Sequence, residues 1–128
     1  MDRADVEQWL VRYECAWRAQ DTAVLDEVFT ESVTYVTSPW ADAIVGREKL
    51  RRFWEVARAG PHEGFRMRSE IVAVDGRMAV VRVHVDYDDG QLWRDLWLFT
   101  LNHRGLCEHF EEWPFAVDQD DGHRDEQF

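Results

Sequence analysis

Apolar residues recur at a helical period from the start of the chain. Val6, Trp9, Leu10, Tyr13 and Trp17 fall on one face of a helix predicted over residues 5 to about 20, with Asp5 and Gln8 placed as a capping-box-like start. Asp21 is placed to cap a second, shorter helix whose buried stripe is Val24, Leu25, Val28 and Phe29. The segment SVTYVTSPW is rich in β-branched residues, so it predicts a strand stopped by Ser38 and Pro39 and a loop presenting Trp40. Gly46 opens a third helix with Leu50, Phe53, Trp54 and Ala57 on one face, ended by Gly60 and Pro61. The pattern then changes to period two, with strands over 65–74, 78–87, 92–101 and 106–113 separated by Asp75-Gly76, Asp89-Gly90 and a turn from Asn102 to Gly105. Two helices, a strand, a helix and four meandering strands make an α+β fold, with the helices covering one face of a mostly antiparallel sheet.

The run VVRVHVDYDDGQLWRDLWLF carries the densest chemistry. Read as a two-residue type I′ turn, Asp89-Gly90 pairs Asp88 with Gln91, and therefore Asp86 with Trp93, His84 with Asp95 and Arg82 with Trp97. That register gathers Arg82, His84, Asp86, Trp93, Asp95, Trp97 and Phe99 on one sheet face, with Val81, Val83, Val85, Leu92, Leu96 and Leu98 on the other. Either the valine-leucine face is the core and the charged face is solvated, or the helices close over the polar-aromatic face as a pocket and the other face is buried elsewhere, as against a second subunit. A three-residue loop would instead oppose His84 to Arg94 and break the constellation.

A chain of 128 residues suits one domain, which buries about two-thirds of the surface its unfolded form exposes. Seven tryptophans exceed what a minimal core requires. The net charge of −11 argues against a nucleic-acid backbone as partner. The stretch from Asp118 to Phe128 carries −4 of it and leaves −7 for a domain spanning residues 1–117, so 118–128 reads as an acidic, solvated tail. Cys15 and Cys107 have no zinc-like spacing and read as free thiols in a reducing compartment. With no apolar run of membrane-spanning length and no signal-peptide pattern, the expected location is the cytoplasm and no membrane is expected as partner.

Three segments carry a family resemblance: WLVRYECAWRAQDTAVLDEVFTESVTY, then SPW followed by GREKLRRFW, and the closing EHFEEWPF. Together, from about Val6 to Phe115, they resemble the SnoaL-like branch of the NTF2-like superfamily, which includes ketosteroid isomerases, polyketide cyclases and limonene-epoxide hydrolases. The resemblance implies a curved sheet wrapped by three helices into a cone with one deep pocket, and commonly a homodimer. It implies that His109, Glu111 and Trp113 look into the cone beside Asp95, Trp97 and Phe99. Arg82, His84 and Asp86 look similar to the Arg-x-Asp pair of the epoxide-hydrolase branch, with Glu111 near its last acid, although a His stands where that motif has an acid. Tyr13 resembles the oxyanion-hole tyrosine of the ketosteroid isomerases, but Trp97 stands where their acid would be, which argues against ketosteroid isomerisation itself.

Glu111 in a dry aromatic cavity is then the expected acid/base residue, and His84 oriented by Asp95 an imidazole able to donate or accept a proton. Tyr13, Tyr35 and Arg82 are candidates to polarise a carbonyl or stabilise an enolate. Trp17, Trp40, Trp54, Trp93, Trp97 and Trp113 would wall a cyclic or polyketide-like hydrophobic ligand. His84, Asp86, His109 and Glu111 also hold the donor types of a mononuclear metal site, but no tight motif fixes them and no metal is expected. No phosphate loop, nucleophile elbow or CxxC pair is present, and no cofactor is expected. The function expected is cofactor-independent acid/base chemistry on a small hydrophobic molecule, as an isomerase, cyclase, dehydratase or hydrolase. The alternatives are a ligand-binding protein that transforms nothing, and a dimerisation module with a filled pocket.

Overall fold

A computed structural model describes residues 1–19, 22–57, 64–120 and 122–123. Helix α1 (Arg3–Arg18) begins two residues before its predicted start. Its capping box is made by Asp2 and Asp5 rather than by Asp5 and Gln8: the Asp5 N–H donates to Asp2 Oδ1 at 3.0 Å and the Asp2 N–H to Asp5 Oδ2 at 2.9 Å. The predicted cap Asp21 lies outside the described residues. The predicted second helix is a single 3₁₀ segment, Thr22–Glu27, burying Leu25. It is too short to recover the cost of nucleating an α-helix. Phe29, assigned to that helix by its periodicity, instead starts β1 (Phe29–Val36).

After β1 comes a two-residue strand β2 (Ile44–Val45), antiparallel to β1, which is too short for any period to reveal. Helix α2 (Arg47–Ala57) follows directly on Gly46, and its predicted stop at Gly60 and Pro61 lies outside the described residues. The remaining strands are β3 (Phe65–Asp75), β4 (Met78–Tyr87), β5 (Leu92–Leu101) and β6 (Cys107–Ala116). They join a six-stranded sheet in the order β2-β1-β6-β5-β4-β3, antiparallel except where β1 runs parallel to β6. The helices pack on one face of this curved, unclosed sheet, as the α+β reading anticipates.

Trp9 of α1 anchors that packing. Its ring centroid lies 4.4 Å from that of Phe99, 5.3 Å from Tyr13 and 6.0 Å from both Phe29 and Phe110. Its indole N–H donates to the Val28 carbonyl at 3.0 Å, so the one polar atom of a fully buried ring is satisfied.

The β4–β5 hairpin departs from its predicted register by one residue. Tyr87, not Asp88, opposes Gln91: the Tyr87 N–H donates to the Gln91 carbonyl at 2.9 Å and the Gly90 N–H to the Tyr87 carbonyl at 3.0 Å. Asp88, Asp89 and Gly90 therefore form a three-residue loop, closed by Gly90 at φ +98°. This left-handed residue after a tight turn is the usual ending of such loops. His84 consequently faces Arg94, Asp95 faces Val83, Trp97 faces Val81 and Trp93 faces Val85. Because the side-chain period is two, the slip exchanges every partner across the sheet. Replacing Gly90 by Ala should cost roughly 1 kcal/mol by forcing a Cβ into this conformation. Urea denaturation would measure it, and an unchanged midpoint would argue against the loop.

Candidate active site

The corrected register gives the sheet two dissimilar faces. Toward the helices point Ala79, Val81, Val83 and Val85 of β4, Trp93, Asp95, Trp97 and Phe99 of β5, and Phe110, Glu112 and Pro114 of β6. Away from them point Arg82, His84 and Asp86, Arg94, Leu96 and Leu98, then His109, Glu111 and Trp113. The predicted trio of His109, Glu111 and Trp113 is thus turned out of the cone, and its neighbours Phe110 and Glu112 are turned in. A register shift between Thr100 and Leu101 lets Cys107 and Phe110 both face the core, which sets this parity.

A cavity of about 270 Å³ lies between the inner face and the helices. Tyr13 and Trp17 line it from α1, Tyr35 from β1, and Phe53 and Ala57 from α2. The sheet supplies Phe65 and Met67, Val85 and Tyr87, then Trp93, Asp95 and Trp97, and finally Glu112 and Pro114. Its only carboxyl groups are Asp95 and Glu112, and no Lys, Arg or His lines it among the described residues.

These two carboxyls are diagonal neighbours across β5 and β6, since Trp97 opposes Glu112 and Asp95 opposes Pro114. Asp95 is 6% exposed, and what surface Glu112 retains lines the cavity. Burial, then the adjacent charge of Asp95 and a hydrogen bond with it, push the Glu112 carboxyl up to about 8. Burial also raises Asp95, against hydrogen bonds from Glu112, from the Trp97 indole N–H at 3.3 Å and from the Phe115 backbone. Asp95 Oδ1 is buried without a conventional donor among the described residues. A proton on Glu112 can supply one, and burial of both carboxyls favours holding a proton there.

Two tyrosines form the other polar point of the cavity. The Tyr13 and Tyr35 hydroxyls hydrogen-bond to each other, and burial raises both well above the ordinary phenol range. They stay protonated, and with one O–H spent on their mutual bond the pair has one left to donate. The Trp54 indole N–H is directed at Tyr35 but falls short of full hydrogen-bond geometry.

Of the residues singled out in the sequence, Tyr13, Trp17, Tyr35, Trp93, Asp95 and Trp97 meet at this cavity. Trp54 and Phe99 are fully buried behind its walls, Trp54 edge-on to Trp17 at 4.8 Å and Phe99 against Trp9. Trp40 is 82% exposed in the turn after β1. The expected His84–Asp95 pair does not form, because the two side chains leave opposite faces of the sheet. Arg82 is bound to Glu70, His84 lies 3.5 Å from an Arg68 guanidinium nitrogen, and Asp86 accepts from Arg94 at 2.9 Å, which holds its carboxyl below the usual range. Glu111 accepts from the Trp113 indole and lies 3.9 Å from His109. Among the described residues no group of three or more His, Cys, Asp or Glu is arranged to hold a metal. Glu112, which the sequence reading passed over in favour of its neighbour, is the residue the structure adds to the cavity lining. Its signal was the parity of β6 relative to Phe110.

The chain belongs to the SnoaL-like domain family, which it matches over residues 8–109. No curated protein sequence matches it. Among solved structures it is similar to a proposed isomerase of the SnoaL-like family from Agrobacterium tumefaciens, at 17% identity and a TM-score of 0.71 over 88% of this chain and 98% of that one. It is also similar to a proposed polyketide cyclase from Sinorhizobium meliloti, at 22% identity and a TM-score of 0.66 over 88% and 99% of the two chains. A proposed ketosteroid isomerase from Kribbella flavida aligns at 15% identity and a TM-score of 0.68 over 95% and 86%. Likeness at this level of identity establishes the fold. Among the described residues no helix is long and apolar enough to cross a membrane.

Proposed function

We propose that the chain is a cofactor-independent enzyme that binds a small hydrophobic, cyclic molecule in the cavity and moves a proton on it. The observation carrying this reading is the Asp95–Glu112 pair, two neighbouring carboxyls that burial raises, in a pocket otherwise walled by aromatic and aliphatic side chains. Such a pair offers a base and an acid at one place near neutral pH. The hydrogen-bonded pair of Tyr13 and Tyr35 keeps one phenolic O–H as a donor for an oxygen that gains negative charge during the transfer. Isomerisation, cyclisation, dehydration and hydrolysis all draw on this set, and the likeness to proposed isomerases and a proposed polyketide cyclase supports the same chemistry.

The test begins with flat cyclic ketones, screened for thermal stabilisation, since a ligand of the folded state raises its stability. Ligands that stabilise are then incubated with the protein in D₂O and their carbon-bound hydrogen exchange is followed by mass spectrometry. Glu112→Gln should slow exchange by at least about 10²-fold, a usual contribution of a general acid or base, while Glu111→Gln on the outer face leaves it unchanged. Stabilisation without exchange would instead support a binding protein that transforms nothing.

The reading includes a homodimer. Leu96, Leu98, Trp113 and Phe115 make an apolar stripe on the outer face, with Phe115 45% exposed, and a second copy is its expected cover. Sedimentation should give a dimer that Leu98→Glu dissociates. A monomeric wild type would remove this part of the proposal.

A further inference from the structure

Asp95 presents an unusual electrostatic problem. It is 94% buried by its 6% exposure, its Oδ1 has no conventional donor among the described residues, and it lines a cavity to which no described residue brings a positive charge. Arg18 of α1 is outside the lining, and its guanidinium packs on Phe65 at 3.9 Å, donates to the Phe65 carbonyl and pairs with Glu14 at 2.9 Å. A negative charge on this buried pair has no counter-charge among the described residues, which makes it costly unless a ligand supplies one. Trp93 and Trp97 stand two residues to either side of Asp95 on the same strand face, so any group that reaches the carboxylate lies beside both indoles. Indole faces and carboxylates attract the same kind of partner, an organic cation.

We infer that the preferred ligands are small hydrophobic monocations, ring systems bearing a protonated amine that pairs with the Asp95–Glu112 carboxyls from the cavity side while its carbon frame lies among the aromatic rings. The inference rests on the proposed reading of the cavity as a ligand site and names the ligand class. A carboxylate or phosphate ligand is disfavoured by like-charge repulsion from two carboxyls in a pocket with no cation among the described residues, and the chain's net charge of −11 favours the approach of cations. The ammonium N–H replaces the proton shared by the pair, which leaves Glu112 for solvent. Amine binding at neutral pH therefore releases protons. The other titratable groups facing the pair are Tyr13 from α1, Tyr35 from β1 and Tyr87 from β4, with none from α2 or β3 among the described residues.

Three near-isosteric probes test this by calorimetry on the wild-type protein: 2-aminoindane, 2-indanol and indane-2-carboxylate. The amine should bind at least about tenfold more tightly than the alcohol at pH 7, and the carboxylate not at all. The amine's advantage should grow from pH 6 to 8.5, and its binding heat should vary with the buffer's ionisation enthalpy as protons are released. The double variant Asp95→Asn/Glu112→Gln should erase the advantage while still binding the alcohol. Alcohol binding equal to or tighter than amine binding would overturn the cation assignment and leave the hydrophobic-ligand reading intact. Binding of none of the three would overturn both.

Discussion

Glu112→Gln should stabilise the protein at pH 9 by on the order of 2–4 kcal/mol and leave it unchanged near pH 4. The sign follows from protons. The Glu112 carboxyl, ordinarily near 4.5, is pushed up to about 8 by burial and by Asp95. Between those values the folded protein holds a proton that the unfolded chain has lost, so wild-type stability is fullest below about pH 4.5 and falls as pH rises through about 8. Asp95, also raised by burial, acts in the same direction. Glutamine reproduces the shape and hydrogen-bonding of the protonated acid and cannot ionise, so the variant's pH profile flattens across this window. Urea titrations at pH 4, 6 and 9 measure it. Parallel wild-type and variant profiles would mean that Glu112 ionises freely and that the pair is not desolvated.

Trp9→Ala is expected to cost about 3–5 kcal/mol, the range for deleting a large buried aromatic. The ring touches four aromatic partners drawn from α1, β1, β5 and β6, and its indole satisfies the Val28 carbonyl. Deleting it removes transfer energy, opens a void where helix and sheet meet, and leaves the Val28 carbonyl with only its bond from the Cys107 N–H at 2.8 Å. Against a typical domain stability of 5–15 kcal/mol this approaches unfolding. Trp9→Phe, which keeps most of the packing and loses the hydrogen bond, should cost about half as much. A loss below 1 kcal/mol for the alanine variant in chemical denaturation would contradict the role given to Trp9.

The fold was legible because its signals are long. About four turns of amphipathic pattern in α1 and four strands of about ten residues with period two leave little choice of class, and the WLVRYECAW and GREKLRRFW segments resemble one family. The candidate site depended on parity, which a single residue decides. Asp88, Asp89 and Gly90 support either a two-residue or a three-residue loop, and the shorter choice placed His84 opposite Asp95. Face consistency argues for the longer loop. With it, Val81, Val83 and Val85 join Trp93, Trp97 and Phe99 on one apolar face, and Arg82, His84, Asp86 and Arg94 collect on the other. With the shorter loop both faces are mixed. In β6 the same one-residue ambiguity separates Glu111 from Glu112, and the register shift near Thr100 that resolves it has no signature in the sequence. Tyr13, Tyr35 and Asp95 were found because each lies on an element whose inward face does not depend on that choice, or, for Asp95, because Trp97 and Phe99 fix it.

The most direct measurement is a ¹³C NMR titration of the side-chain carboxyl carbons in wild type and Glu112→Gln. A one-proton pair in the cavity requires a carboxyl signal that titrates above pH 7 in the wild type and is missing from the variant. If every glutamate and aspartate titrates below about pH 5, in the ordinary range for exposed acids, the cavity holds two free carboxylates and the acid/base reading of this site is contradicted.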